Sequence, residues 1–353
     1  MLPPFPRKAN PSRGDNLLEE GLKCGKIPHK LLEEIIGLLD LEDDRIIIGP
    51  KVGEDSAVVR WDENLLVVAS DPITFASESI GWYAVMVNAN DIVVMGAVPR
   101  YLLVTLLLPP NSPPSLPLNI MKQIEDACRQ LSIKVIGGHS EVTPGLERPI
   151  VVGTMLGSAD KVLVPSAKEG DLIFLTKGIA IEGTALLARE YADELLSLGV
   201  EKEVLERAKQ LIFEPGISVV QEALLLKDYA TSMHDPTEGG LATAIYELCR
   251  ANDKGALLYE ESIPILPECR LICEKLSLNP LGLLASGSLL FTISPDKKEY
   301  VRELLEREGI EYGEIGEIRE KDYGIKIKRR GGIFPLEFSE RDEVARLEEE
   351  WGR

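Results

Sequence analysis

Four acidic motifs are the places where this chain could do chemistry. They are Gly53-Glu54-Asp55-Ser56-Ala57, Ala69-Ser70-Asp71-Pro72, Asn88-Ala89-Asn90-Asp91 and His234-Asp235-Pro236-Thr237-Glu238-Gly239-Gly240. Each sets a carboxylate beside small residues, at a strand end or on an apolar helix. Asp91 is the most telling, because a carboxylate inside an apolar helix is costly to bury without a cation, a partner or water. Several such carboxylates converging would form a hard oxygen site, suited to Mg2+ carrying a phosphate. Singly, each has a plainer reading. Asp55 suits a turn, Asp71 before Pro72 a strand end, Asp91 a hydrogen-bonded core acid, and Asp235 an N-cap for the helix that follows.

A second polar group, Gly137-Gly138-His139-Ser140-Glu141, is expected in the loop after a short buried strand. Its two glycines would let the backbone approach a ligand, and its polar triplet offers groups for phosphate or metal. A glycine-permitted turn is the alternative. No Gly-x-x-x-x-Gly-Lys-Ser/Thr run occurs, which excludes a P-loop. The three histidines, at 29, 139 and 234, lack helix-face spacing, and no Cys-x-x-Cys pair exists, which argues against a structural zinc site. Cys24-Gly25-Lys26 is either a reactive thiol beside a cation or an inert cysteine.

The elements that must position these residues follow from hydrophobic periodicity. Leu31–Leu39, Ser79 to about Met95 (opened by a capping-type Ser79) and Leu118–Leu131 read as helices. Arg45–Gly49, Leu65–Ser70, Tyr101–Leu108, Lys134–Ile136 and Ile150–Leu156 read as strands. Ala159–Gly170, short and polar, is the expected domain boundary. Beyond it, helices Gly183–Tyr191, Ile217–Lys227 and Leu241–Ala251 mix with strands Leu172–Thr176, Leu289–Ile293 and Ile325–Lys328. The alternation predicts an α/β (α+β) protein of two domains. Residues 1–20 and 341–353 are expected as tails, flanking domains at 21–160 and 161–340. The 353 residues carry a net charge of −19, which argues against nucleic-acid binding, since phosphate backbones repel an acidic surface. No apolar run nears the roughly 18 residues of a membrane span. Five scattered cysteines fit reduced thiols, and the chain reads as cytoplasmic.

Taken in order, these motifs resemble the aminoimidazole ribonucleotide (AIR) synthase, or PurM-like, superfamily. The match rests on Gly53–Val59, Ser70–Pro72, Asn88–Pro99 and Gly137–Glu141, then on Gly170–Ile173 in the second half. Met233–Ala244, with Asn279–Gly282 and Ala285–Leu289, is most similar to the branch of the hydrogenase maturation protein HypE. The resemblance spans about Gly25 to Gly316. It implies an N-terminal domain whose mixed sheet meets its twin in a homodimer, a second α/β domain packed against it, and ATP held with Mg2+ in the groove between. On that footing Asp55, Asp71 and Asp91 are metal and phosphate ligands. Asp235 and Glu141 stand near the transferred phosphate as catalytic groups. Gly137 and Gly138 line the phosphate, and Gly25 and Lys26 match a segment that covers the nucleotide in some members.

The expected function is that of a Mg-ATP-dependent enzyme that activates or phosphorylates a small substrate. Two departures shape the alternatives. HypE carries a C-terminal cysteine, whereas the last cysteine here is Cys273. That motivates a nucleotide-binding partner protein acting with other maturation factors. Cys24 and Lys26 ahead of Asp55 resemble the selenophosphate synthetase arrangement, although their mutual spacing differs.

Overall fold

A computed structural model describes residues 29–339 and 341–351. Among the described residues the first domain is a mixed sheet of six strands: β1 (Ile46–Ile48), β2 (Ala57–Trp61), β3 (Asn64–Ile73), β4 (Val98–Leu108), β5 (Lys134–Val142) and β6 (Ile150–Ala159). Their order is β1-β2-β3-β6-β4-β5, antiparallel throughout except for the parallel pair β4–β5. In β6 every second residue from Val151 to Gly157 is buried, the period-two signature of a sheet covered on one face.

The cover is the helix Ile80–Val94. Every residue in it except Trp82 is buried. It carries no polar stripe because it has no solvent face. It packs on β3 and β6 on one side, and on the second-domain helix Val220–Leu226 on another. A helix that is apolar all round belongs in an interior. Its N-terminus corrects the expected cap. Ser79 is left-handed (φ 56°) and its side chain caps nothing. Instead Gln123, from the helix Ser115–Gln130, accepts the Gly81 N–H at 3.0 Å. Gly81 has to be glycine, since a Cβ there would stand 2.5 Å from the Ile120 carbonyl oxygen.

The second domain is a seven-stranded sheet of β7 (Leu172–Thr176), β8 (Ala230–His234), β9 (Gly255–Tyr259), β10 (Leu290–Ile293), β11 (Tyr312–Arg319), β12 (Ile325–Arg329) and β13 (Gly332–Pro335). Their order is β13-β12-β9-β11-β7-β10-β8. The two-domain mixed α/β architecture is the expected one. Two segments differ. Gly137–Glu141 is not a loop but the body of β5, because these residues pair in register with Leu103–Leu107 of β4. Short-range reading stops the strand at the glycines, whereas the β4 ladder carries it through. Residues 343–351, set aside as a tail, form a helix that buries Val344, Ala345 and Leu347. Asp342 fastens it by bonding the N–H groups of both Val344 and Gly239, each at 2.8 Å. Gly25 and Lys26, with Cys24, lie outside the described residues.

Candidate active site

Each of the four aspartates leaves a different element. Asp55 sits in the turn before β2, Asp71 near the end of β3, Asp91 in the last turn of helix Ile80–Val94, and Asp235 directly after β8. The fold brings all four together. Asp91 lies close enough to Asp71, Asp235 and Asp55 for each to act on its charge, and it shares a side-chain hydrogen bond with Asp71. Donor atoms of Asp55, His234 and Asp235 lie within 4.8 Å of one another.

Burial and these like charges push Asp91 well above the usual carboxylate range. Burial and Asp55 do the same to Asp235, against the opposing pull of His234. Asp91 Oδ2 and both carboxylate oxygens of Asp235 are buried with no hydrogen-bond partner. Buried polar atoms are nearly always paired, so three orphaned oxygens in one cluster require an explanation. A divalent cation supplies one, because it satisfies the oxygens and cancels the repulsion. The donor set, all oxygen and all carboxylate, suits Mg2+. The N-cap reading of Asp235 fails: the helix Gly240–Asn252 is capped at Gly239, four residues on, where Asp342 serves it.

The packing around the cluster is specific. Asn88 accepts the Asp71 N–H at 2.9 Å and donates to the Asp71 carbonyl at 3.2 Å. It reaches β3 because Gly153 stands opposite Asp71 in β6, where a Cβ would come within 2.5 Å of the Asn88 amide nitrogen. Ser56 donates to the Asp91 carbonyl at 2.7 Å. Asn90 spans the domains, donating to the Ile217 carbonyl and accepting the Val219 N–H, both at 2.9 Å. His234 bridges Asp55 Oδ2 at 2.8 Å and Glu247 Oε2 at 2.9 Å. Burial alone would discharge it, but these two carboxylates hold its pKa well above the ordinary histidine value. With both ring nitrogens engaged, His234 positions Asp55 and leaves ligation to the carboxylates.

Gly137, Gly138 and Glu141 do not join the cluster within one chain. Across the sheet, Asp71 pairs with Gly153, Gly153 with Val104 and Val104 with Gly138. Three strand spacings put Gly138 about 14 Å from Asp71. Glu141 is exposed and bonded locally, to His139 at 3.3 Å and Thr143 at 3.0 Å. Sequence reading missed His234 and Glu247 as a pair, since 13 residues separate them. It did quote Asn88 and Asn90, and polar residues at those apolar-helix positions were the usable signal.

Beside Asp71 a cleft of about 580 Å³ opens between the domains, lined by Phe75, Arg148, Glu182, Glu238 and Ser286 among others.

Family models match most of the chain. "AIR synthase related protein, N-terminal domain" covers residues 53–159, and the corresponding C-terminal domain covers 168–328. A hydrogenase expression/formation protein of Methanocaldococcus jannaschii is 28% identical over 292 residues, 80% of this chain and 84% of that protein. The fold is that of HypE in the HypE–HypF complex (TM-score 0.71, 20% identity, covering 87% of this chain and 99% of that one). It is also that of AaThiL complexed with AMPPCP and TMP (TM-score 0.67, 21% identity, covering 84% and 92%). The two-domain PurM-like fold agrees with these matches, and this chain belongs to the AIR synthase related protein family.

Proposed function

We propose that the protein is a Mg-ATP-dependent enzyme that activates or phosphorylates a small acceptor bound in the interdomain cleft. The observation that carries this reading is the group of three orphaned carboxylate oxygens, on Asp91 and Asp235, in a cluster with Asp55 and Asp71. These four residues would hold Mg2+. The metal supplies neutralisation of phosphate charge when bound. The chain's own contribution is positional. Asn88 fixes the backbone of Asp71, and His234 with Glu247 fixes Asp55. Asp235 faces the transferred phosphate in this reading. ATP as the nucleotide is supported by AaThiL, whose structure contains the ATP analogue AMPPCP.

A homodimer belongs to the same proposal. Strand β5 ends the first sheet, and it is exposed along nearly its whole length. Tyr101, Leu103 and Ile136 present apolar surface on β4 and β5 that a second sheet would cover. Glu141 then belongs to the dimer face and reaches a phosphate only from there. The partner-protein alternative draws support from HypE, which is seen in complex with HypF. The four described cysteines are all buried, so none offers a surface thiol as the acceptor. The selenophosphate alternative turns on Cys24 and Lys26, outside the described residues. No described helix is long and apolar enough to cross a membrane, and a cytoplasmic location is part of the proposal.

Calorimetry of Mg-ATP binding, with ADP, AMP and phosphate release followed on the same sample, tests the reading. Binding with slow release is expected, and Asp71→Asn should abolish turnover while keeping the melting profile. Binding without any release favours the partner-protein reading. Absence of binding withdraws the nucleotide assignment.

A further inference from the structure

The interdomain cleft has a first-domain side and a second-domain side, and the Mg-ATP reading uses the first, at Asp71. On the second, Glu182 opens the helix Ile181–Glu190 and Ser286 follows the turn at Pro280–Gly282. Glu182 is 6% exposed and Ser286 1%. Ser286 sits against the Glu182 carboxylate, neither Glu182 Oε2 nor Ser286 Oγ bonds a third group, and both residues line the cleft. A buried carboxylate oxygen, with the Ser286 hydroxyl beside it, therefore faces the cavity that Asp71 also lines.

The charge around them has one sign. Burial pushes Glu182 up to about 7; Asp342 and Glu238 add to that, while Ser286 opposes it. One cation, Arg148, also lines this cleft, and it is already paired. It donates to the Phe75 carbonyl at 3.2 Å and stands 3.6 Å from Glu348. The carboxylates acting on Glu182 make this side of the cleft acidic, and an anionic ligand group would add to the repulsion.

We propose that this second-domain side of the cleft receives a cationic nitrogen group of the acceptor, an ammonium or a guanidinium-type group, with Glu182 as its counter-ion and Ser286 as a second hydrogen-bond partner. The inference rests on the aspartate cluster being the Mg-ATP site, because that is what makes the cleft's second occupant an acceptor. A charge-assisted bond to a buried carboxylate is about twice as strong as a neutral one, so charge should decide what binds.

The test uses the full chain and three small probes titrated by ligand-observed NMR: methylguanidinium, methylurea and methyl phosphate. Methylguanidinium and methylurea share a shape and differ in charge. The expected result is a preference for methylguanidinium over methylurea of about tenfold. Glu182→Gln should erase that preference, and Ser286→Ala should weaken both ligands. Equal binding of the two, tightest binding of methyl phosphate, a preference that survives Glu182→Gln, or no binding up to tens of millimolar would each overturn the proposal. If Glu182→Gln does not fold, the wild-type preference and Ser286→Ala decide. Mg-ATP calorimetry on the same samples keeps the two readings apart. Mg-ATP binding intact with no cation preference sinks only the acceptor proposal. A cation preference with no Mg-ATP binding sinks only the nucleotide reading.

Discussion

The aspartate cluster and the β5 edge carry the same kinds of residues, carboxylates and histidine among glycines, and differ in everything that makes a site. In the cluster, Asp91 and Asp235 are buried against their own charge and keep oxygens with no partner. On β5, Glu141 and His139 are exposed and bonded to each other. The lesson is that a motif marks a site by the discomfort it retains after folding. Side chains that satisfy themselves locally leave nothing for a ligand to do. Repulsion held in place by Asn88, His234 and Glu247 has to be relieved by something from outside.

The largest expected effect follows directly. Asp91→Asn or Asp235→Asn should weaken Mg-ATP binding by about 100-fold or more in calorimetry, while Glu141→Gln stays near wild type in a monomer. Equal losses in the two regions would erase the contrast. Next, Asn88→Ala should cost about 10- to 100-fold in Mg2+ affinity, because it frees the backbone that aims Asp71. Unchanged affinity would show that the β3 backbone holds itself.

The third effect is on stability, with a defined sign. The folded pKa of Asp91 is raised, while the unfolded chain ionises near the ordinary value of about 3.9. As pH rises past that value the unfolded state releases a proton that the folded state keeps. Wild type should therefore lose stability relative to Asp91→Asn until the raised folded pKa is passed. Melts in chelator at pH 5 and pH 8 should show Asp91→Asn gaining on wild type at the higher pH, on the order of 2 kcal/mol. Added Mg2+ should remove the wild-type deficit. Parallel curves would mean that the carboxylate is not under strain. The smallest effect belongs to the edge. Ile136→Lys should shift the protein from dimer to monomer in sedimentation and move the melting temperature of the monomer little, since Ile136 is exposed. A dimer that persists would place the interface elsewhere.

Much of this was legible in the sequence because it is local. Hydrophobic period located the strand Leu172–Thr176 to the residue, and helix Ile80–Val94 within a residue or two. The four aspartates were visible because each interrupts an apolar or small-residue context. What escaped depends on partners far along the chain. The extent of β5 is set by β4. The cap of helix Gly240–Asn252 comes from Asp342, 103 residues beyond Gly239. Glu182 and Ser286 are adjacent only because the start of helix Ile181–Glu190 meets the segment after Pro280–Gly282, and neither carries a motif that announces it.

Helix Ile80–Val94 bears on how the molecule is assembled. It belongs to the first domain by sequence, yet its far side is the second domain's packing surface, and Asn90 bonds that domain's backbone. Cut away from residues 168–328, the first domain would show water an apolar helix face meant for an interior. It should therefore be insoluble alone and be rescued by co-expression with the second half. The two domains are separable as families of sequence but form one cooperative unit in folding, and the intact chain should melt in a single transition.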